Sequence, residues 1–432
     1  MTPLSRAQTF RGYFACARAL HYAEVTLDGT LGPAGPVLGP NYEIAAPLDQ
    51  QRGGNLFHSF GRFNVVTGES ATFSGPNSVT NIISRVTGGE ASWIDGTLRS
   101  TVPGADLYLL NPWGLAFGAN AALDVLGSFY ASTADYLRLG VDGYFVAKEP
   151  GTSALSMAPV AAFGFLGDSP GSIAIQGSVL GVPQANSLSL IGGDLRMENA
   201  TLRAPAGAIE VAATASRGEV LPTDSGVELS RFARLGSIDI VDAGAERTPV
   251  NGVVLGNLDV SGEGGGAILI RGGHFDLAGG YVQANTLGNT DGKGINIEVD
   301  SLRVTAGGRI AADTLAGAGR GGTIFVSAKE DLVISGQDGT GLFSEIAAVS
   351  EAPAMGDAGD IVVATPTLEL DAGAVRSSTS GVGDAGVIEL RVDELLLSRG
   401  QIASATLGGS GRGGQVIIKA AEMVSVSGEE LD

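Results

Sequence analysis

The stretch that decides the fold runs from residue 55 to residue 133. It reads NLFHSFGRFNVVTGESATFSGP (55–76), NIISRVTGGEASWIDGTLRS (81–100), ADLYLLNPWGLAFG (105–118) and ALDVLGSFYAST (122–133). Each piece is a short apolar run closed by glycine, asparagine, aspartate or proline, and none has the apolar period of a helix. Runs of this kind are typical of β-strands joined by turns. The stretch therefore predicts an all-β structure.

A regular repeat continues this scheme after Gly171. The repeated strand has the form Gly-x-[Ile/Val]-x-[Ile/Val/Leu], and its copies begin at Gly171, Gly207, Gly236, Gly266, Gly322, Gly359, Gly386 and Gly414. A further copy begins at Gly294 (GINIEV), where the alternation is shifted by one residue. The last six copies start 27 or 28 residues apart, except for one interval of 37 residues, which predicts an insertion within 336–356. Two more short strands follow in each copy, so we expect three strands and three turns per repeat.

A repeat of this length indicates a solenoid. Three alternating strands per unit predict three parallel sheets around one core, which is a parallel β-helix. It should be right-handed and should carry an N-terminal cap over residues 24–54, because an uncovered end would expose apolar surface and unpaired backbone. Antiparallel hairpins would need regular two-residue turns, and a propeller blade would need four strands. About thirteen coils at roughly 4.8 Å each give a rod on the order of 60 Å long.

Composition narrows the class of protein. The 432 residues include 67 glycines, about twice the usual share, yet 44% are hydrophobic, so the chain has a core to bury. The net charge of −20 and the presence of only four lysines argue against a nucleic-acid partner and against stable membrane insertion. The single cysteine, Cys16, excludes an intrachain disulfide, and no pattern predicts a zinc site or a cofactor.

We divide the chain into three parts. Residues 1–22 form a poorly defined N-terminal segment in which arginines interrupt the apolar run. A remnant of a signal, a misplaced start and an unusual export signal are all compatible with it. Residues 23–170 form a first domain, in which 137–170 break the rhythm and predict either a loop standing off the body or an extra packed strand pair. Residues 171–432 form the repeats, and we predict truncation at the C-terminus because the last repeat lacks its third strand.

The order of motifs in residues 55–133 resembles the N-terminal secretion domain of filamentous-haemagglutinin-type exoproteins, the passengers of two-partner secretion. The motifs that carry the resemblance are NLFHSF (55–60), NIISRVTG (81–88), IDG (94–96), LLNPWGLAFG (109–118) and GSFYAST (127–133). Five motifs in order over about eighty residues are more specific than any one of them. Trp113 departs from the small polar residue that the family usually has between Pro112 and Gly114.

The resemblance implies a secreted or cell-surface protein of a Gram-negative-type bacterium, exported through the periplasm. It implies an outer-membrane β-barrel transporter whose periplasmic domains read the first domain, and a rod that serves adhesion to a host or bacterial surface or acts as a stalk. The residues implied in recognition or nucleation are Asn55, Phe57, His58, Asn111, Pro112 and Gly114. Asparagine and glycine at these positions could equally serve only to turn the chain, and His58 is expected to pack.

Two other functions remain open at this stage. Parallel β-helices also host polysaccharide-active enzymes, which need clustered acids. The candidate acids are Asp357, Asp360, Asp384, Asp393 and Glu394, but they lie mostly in turns where acids serve solubility. The histidines are far apart in the sequence, so no catalytic triad is predicted and we expect no enzyme. The chain could also be the stalk of a toxin with its effector beyond residue 432.

Overall fold

The computed structural model describes residues 24–223, 226–229, 231–242 and 256–428. The N-terminal segment 1–22, with Cys16 and His21, lies outside the described residues. The first half of the described chain has the following strands: β1 (Glu24–Asp28), β2 (Ala34–Pro36), β3 (Asn41–Ala45), β4 (Gln50–Arg52), β5 (Asn55–Asn64), β6 (Ser70–Ser74), β7 (Asn81–Val86), β8 (Ser92–Ile94), β9 (Thr97–Ser100), β10 (Asp106–Leu110), β11 (Leu115–Phe117), β12 (Ala122–Asp124), β13 (Phe129–Ser132), β14 (Tyr136–Leu139), β15 (Gly143–Val146), β16 (Val160–Phe165), β17 (Ile173–Gln176), β18 (Val179–Gly181), β19 (Ser187–Gly192), β20 (Leu195–Glu198) and β21 (Thr201–Arg203).

The second half continues with strands only. These are β22 (Ala208–Ala213), β23 (Gly218–Thr223), β24 (Gly226–Glu228), β25 (Ile238–Val241), β26 (Leu258–Asp259), β27 (Ala267–Ala278), β28 (Tyr281–Gln283), β29 (Gly294–Thr305), β30 (Arg309–Ala311), β31 (Ile324–Ser335), β32 (Ser344–Ser350), β33 (Ile361–Asp371), β34 (Gly373–Thr379), β35 (Val387–Ser398), β36 (Gln401–Ala403) and β37 (Gln415–Ser427). Two 3-10 turns, Ala46–Leu48 and Pro150–Thr152, are the only helical elements in the described ranges. The all-β expectation is confirmed.

Three ladders of parallel strands build the solenoid. The first ladder runs β5, β7, β10, β13, β19, β22 and then through the long strands from β27 to β37, which gives twelve strands in the part of the chain that the structure describes. The second ladder runs β8, β11, β17, β20, β25 and joins β27. The third ladder lies in two sheets, from β3 to β12 and from β18 to β36. The parallel β-helix is therefore confirmed.

The expectation of three separate strands per repeat was wrong for the C-terminal coils. From β27 onward the first two strands are one continuous strand of 11 to 13 residues, such as Ala267–Ala278. Three of the pairings between these long strands shift register at the point where the first strand should end, for example between Val299 and Ser301. The backbone thus bends at an irregularity and keeps its ladder bonds, so no open turn is needed there.

Side chains alternate between the interior of the coil and its outer face, as strand geometry requires. In β5, Leu56 and Phe60 belong to the main core, which continues along the rod as far as Leu395. Phe57 points outward and belongs to a second, smaller core. The main core is rich in isoleucine, valine and leucine, because their branched side chains fill the narrow space between three sheets.

An antiparallel sheet lies outside the coils and covers the second core. It consists of β14, β15, β16, β23 and β24, and it supplies Leu137, Phe145 and Phe163 to that core. The segment 137–170 is therefore a packed sheet and not a detached loop. At the N-terminus, β1 pairs antiparallel with β5 and places Val25 in the main core. The capping role of residues 24–54 stays a prediction.

Candidate functional site

The six predicted residues fall into two groups, at opposite ends of the first strands in the first ladder. Asn55, Phe57 and His58 lie at the start of β5, whereas Asn111, Pro112 and Gly114 form the turn that follows β10. The strands β5, β7 and β10 are adjacent and in register, with Asn55 beside Asn81 and Asn81 beside Asp106. The structure does not bring the two groups into one cluster, because the first lies at the start of these strands and the second follows their end.

Asn55 connects the first two coils to the outer sheet. Its buried side chain donates from Nδ2 to the carbonyl oxygens of Ser156 (3.0 Å) and Ala158 (2.8 Å), which lie just before β16. Its Oδ1 accepts a hydrogen bond from Nδ2 of Asn81 in the next coil at 2.8 Å. An aspartate here would lose both donors, so the amide is required for this set of bonds.

Phe57 and His58 point in opposite directions from the same strand. The ring of Phe57 packs 5.0 Å from that of Phe145 in the second core. His58 is fully buried in the main coil, 5.7 Å from the ring of Phe73, and its Nδ1 lies 2.9 Å from Oδ2 of Asp49. Its Nε2 has no hydrogen-bond partner. A buried imidazole in the rod interior has no access to a substrate, so the geometry agrees with packing.

The turn after β10 is held from within. Asn111 is fully buried, and its Oδ1 accepts the backbone N–H of Trp113 at 3.0 Å. Its Nδ2 donates to the carbonyl of Glu90 (2.9 Å) and to Oγ of Ser92 (3.0 Å) in the preceding coil. The N–H of Gly114 then donates to the carbonyl of Asn111 at 3.1 Å and closes the turn. Asparagine is suited to this position because one side chain can bond to its own turn and to a neighbour.

Neighbouring coils cover the same turn on both sides. Gly114 has a φ of +128°, and a Cβ there would lie 3.2 Å from the carbonyl oxygen of Ser172. A Cβ on Gly171 would come within 2.6 Å of the carbonyl oxygen of Pro112. Only glycine allows the three backbones to stack this closely. Pro112 is buried between them.

Arg85 is a central residue that the sequence reasoning missed. Its side chain is fully buried on the outer face of β7. Nη1 donates to the carbonyl of Val146 and to Oγ of Ser153, both at 2.6 Å, and these residues belong to the outer sheet and the turn that follows β15. Nε donates to Ser59 on β5 (2.7 Å), and Nη2 donates to Thr30 beyond β1 (2.9 Å). The one visible signal was an arginine inside the apolar strand NIISRV.

Burial and two nearby acids have opposite effects on the pKa of Arg85. Burial lowers the pKa of its guanidinium to about 10, while Asp28 and Asp49 oppose the shift. The guanidinium carbon also lies 4.3 Å from the centre of the Phe145 ring. Burial raises the pKa of Asp28, but hydrogen bonds from Ser59, Thr30 and Thr87 outweigh that effect and leave it below its ordinary value. Asp28 therefore reaches Arg85 through shared hydroxyl groups.

Three of the five candidate catalytic acids accept hydrogen bonds from the next coil. The other two, Asp393 and Glu394, are neighbours in β35, where Asp393 is exposed and Glu394 is half-buried. Oδ1 of Asp357 accepts the N–H of Asp384 at 2.7 Å, and Oδ1 of Asp384 accepts the N–H of Arg412 at 2.7 Å. Oδ1 of Asp360 accepts the N–H of Val387 at 2.8 Å. Within 24–223, 226–229, 231–242 and 256–428, no group of three or more His, Cys, Asp or Glu side chains is placed to hold a metal ion. In the same ranges no helix is long and apolar enough to cross a membrane.

The sequence model of the TPS secretion domain matches residues 23–270, which is more than half of the chain. The chain belongs to the TPS secretion domain family. It is accordingly an exoprotein of two-partner secretion, with a parallel β-helix as its fold. The matched range contains both predicted groups, Asn55 to His58 and Asn111 to Gly114, and also Arg85. No curated protein matches the chain at the sequence level.

A solved structure agrees with this fold. The TPS chain is similar to the crystal structure of the HMW1 secretion domain from Haemophilus influenzae, with a TM-score of 0.59 and 16% identity over 96% of this chain and 98% of that one. It also matches the crystal structure of the filamentous hemagglutinin secretion domain, with a TM-score of 0.26 and 16% identity over 91% and 98% of the two chains.

Proposed function

We propose that an outer-membrane β-barrel transporter recognises the TPS domain in the periplasm, before the domain folds. The observation that carries this proposal is the burial of Asn111, whose side chain bonds to Glu90 and Ser92 of the preceding coil and to Trp113 of its own turn. A transporter could contact this side chain only in an unfolded chain. Asn55 and Phe57 are buried as well, so the same reasoning holds for the first group.

Folding outside the cell would then draw the chain across the membrane. Each coil pairs in parallel with the one before it, and such pairing is slow compared with local helix formation. The chain can therefore stay open during transit and form coils one after another on the far side. Once a coil has formed, its bonds to the previous coil oppose return, and no ATP is needed.

The exported rod serves as an adhesin or as a stalk at the cell surface. The architecture supports this role, because a stack of coils extends the exposed surface of the rod far beyond the first domain. Three of the five candidate acids, Asp357, Asp360 and Asp384, are used in bonds between coils, which supports a structural role for them. The adhesive role is taken further below.

Secretion with and without a co-expressed cognate transporter tests the proposal. We expect export to require the transporter and to be lost in Asn111→Ala, while the purified variant still refolds in vitro. The matched control is Asn285→Ala, which removes another buried turn asparagine, whose Oδ1 accepts the N–H of Asp313 at 3.0 Å. Asn285 lies outside the family match, so its variant should still be exported.

Other results would change the conclusion. If Asn111→Ala is exported as well as Asn285→Ala, Asn111 is a structural turn residue and recognition lies elsewhere. Export that needs no transporter would overturn the two-partner reading of this chain.

A further inference from the structure

The one long interval among the last six repeats builds a projection on the side of the rod. Residues 336–343 are inserted between β31 and β32 and form a small hairpin, in which Gln337 bridges Phe343. Oδ1 of Asp338 accepts the N–H groups of Thr340 and Leu342, at 2.8 and 2.9 Å. The hairpin sits against Gly307, where a Cβ would approach that of Asp338 to 2.6 Å. It is therefore a fixed feature that holds Leu342 and Phe343 in solvent, at 57% and 48% exposure.

A strip of outward-facing side chains runs beside the hairpin along the third ladder. The strip holds one residue per coil, and the register places them in the order Tyr281, Arg309, Glu345, Ala374 and Gln401. Adjacent strands are roughly 4.8 Å apart, so the strip extends about 19 Å along the rod. Ala374 has the smallest side chain in the strip, so it leaves a depression between Glu345 and Gln401.

The hairpin and the strip enclose a cavity of about 630 Å³. Its lining combines two exposed apolar side chains with planar polar groups: Leu342, Phe343, Glu345, Arg376, Arg399 and Gln401. A concave site with an apolar wall and a few fixed polar groups is the usual form of a small-ligand site.

Each of the three arginines of the cavity is paired with a carboxylate. Oε1 of Glu345 accepts from Nε of Arg309 at 2.6 Å, and its Oε2 accepts from Nε of Arg376 at 2.8 Å. Arg309 also pairs with Asp313 at 2.8 Å, and Arg399 pairs with Asp371 at 2.7 Å. The arginines are thus neutralised, so the cavity does not favour a strongly charged ligand, while its carboxylate oxygens and guanidinium N–H groups remain oriented.

We propose that this cavity binds a neutral linear oligosaccharide. Each sugar hydroxyl is both a donor and an acceptor, which suits alternating carboxylate, guanidinium and amide groups. The apolar face of a sugar ring can pack on Phe343 and Leu342. A strand-forming peptide finds no open edge here, because the backbone of β32 is paired on both sides, with β30 and β34. The proposal rests on the adhesive role proposed above, but it needs neither the transporter nor export to be tested.

Binding of the purified, full-length chain to immobilised short neutral oligosaccharides tests the site. The probes are linear glucans, galactans and mannans, with uronic-acid oligosaccharides beside them. We expect a neutral probe to bind, and Phe343→Ala and Gln401→Ala each to raise Kd about tenfold or more. Leu407→Ala, which truncates another exposed apolar side chain outside the cavity, should leave Kd within about twofold.

Each of the other outcomes overturns the proposal. Retention of none of the neutral probes excludes the ligand class, and retention of the uronic-acid probes alone contradicts the neutral assignment. Binding that is unchanged in both cavity variants places the site elsewhere on the rod. None of these results bears on transporter-dependent export, so the two proposals can fail separately.

Discussion

At the scale of single residues, the polar groups buried on the outer face of the first coils hold separate segments together. Arg85 bonds to β5, to the segment after β1 and to the outer sheet, and Asn55 bonds to β7 and to the segment before β16. A buried guanidinium is costly unless its N–H groups are satisfied, and here four acceptors bind four of its five N–H groups. These residues therefore fix the position of the outer sheet on the rod.

Arg85→Ala should destabilise the first domain by about 3 kcal/mol or more, because it removes charged hydrogen bonds and leaves buried acceptors unpaired. Urea unfolding followed by tryptophan fluorescence measures this, since both tryptophans, Trp93 and Trp113, lie in these coils. Arg99→Ala is the control, because Arg99 is half exposed and pairs only at the surface with Asp124. Its loss should cost less than about 1 kcal/mol. Equal losses would contradict the central role of Arg85.

Asp106→Asn should stabilise the folded domain at neutral pH. Burial raises the pKa of Asp106 above its ordinary value of 3.8, although bonds from Ser128 oppose the shift. A raised folded-state pKa means that the contribution of Asp106 to stability is complete below pH 3.8 and is lost as the pH rises through its folded-state pKa. Asparagine keeps the acceptor for the N–H of Ser128 without the charge.

Urea titrations of wild type and Asp106→Asn across a range of pH test the sign. The advantage of the variant should shrink toward zero as the pH falls below the ordinary pKa of aspartate. An advantage that stays constant with pH would show that the charge of Asp106 is not its cause.

At the scale of elements, the turn after β10 shows how coil stacking constrains a loop. Asn111 bonds back to the preceding coil, and Gly114 and Gly171 allow the next coil to approach. The same turn that the family resemblance picks out is thus a structural joint in the folded state. Because Asn111 is buried in the folded state, we expect the transporter to recognise it only in the unfolded chain.

Gly114→Ala should cost more stability than Gly104→Ala. At Gly114 a side chain meets both an unfavourable φ of +128° and the carbonyl of Ser172, so about 2–3 kcal/mol is expected. Gly104, with a φ of +68°, has nothing within 4 Å of the added Cβ, so only about 1 kcal/mol of left-handed strain applies. Unfolding in urea compares the stability of the two variants. A larger loss of stability for Gly104→Ala would mean that contact with the next coil does not determine the cost of a side chain at Gly114.

At the scale of the whole molecule, stability is built from contacts between neighbouring coils. A coil with partners on both sides should open rarely, whereas a coil with one partner should open more often. In β37 the side chains of Val424 and Val426 are exposed by 51% and 69%, whereas in β33 Leu368 and Leu370 are fully buried.

Hydrogen exchange should follow this difference. Amides within Gln415–Ser427 are expected to exchange well before those within Ile361–Asp371, as measured by mass spectrometry of peptic peptides. The comparison is internal, because both strands belong to the same ladder. Equally slow exchange in the two strands would mean that something covers β37 in solution, and a dependence on protein concentration would identify it as a second copy.

The sequence by itself determined the all-β class, the spacing of the coils and the family, because these depend on local patterns. Strand alternation, glycine at turns and a 27- to 28-residue period are set by near neighbours, and alternation alone places successive side chains of a strand on opposite faces. The insertion was also visible, although the structure narrows it from 336–356 to the hairpin 336–343.

Only the tertiary structure decided what lies on the outer face of the coils. Residues 137–170 could have been a loop or a packed sheet, and the choice depends on whether Phe57, Ile83 and Phe145 find one another across tens of residues. In the sequence, Arg85 is an unexplained charge in an apolar strand. In the structure, Val146 and Ser153 supply acceptors for its guanidinium group. The merging of two strands into one from β27 onward depends likewise on bonds to adjacent coils. A local pattern specifies which side chains point outward, but the segment that covers them is chosen by packing between distant parts of the chain.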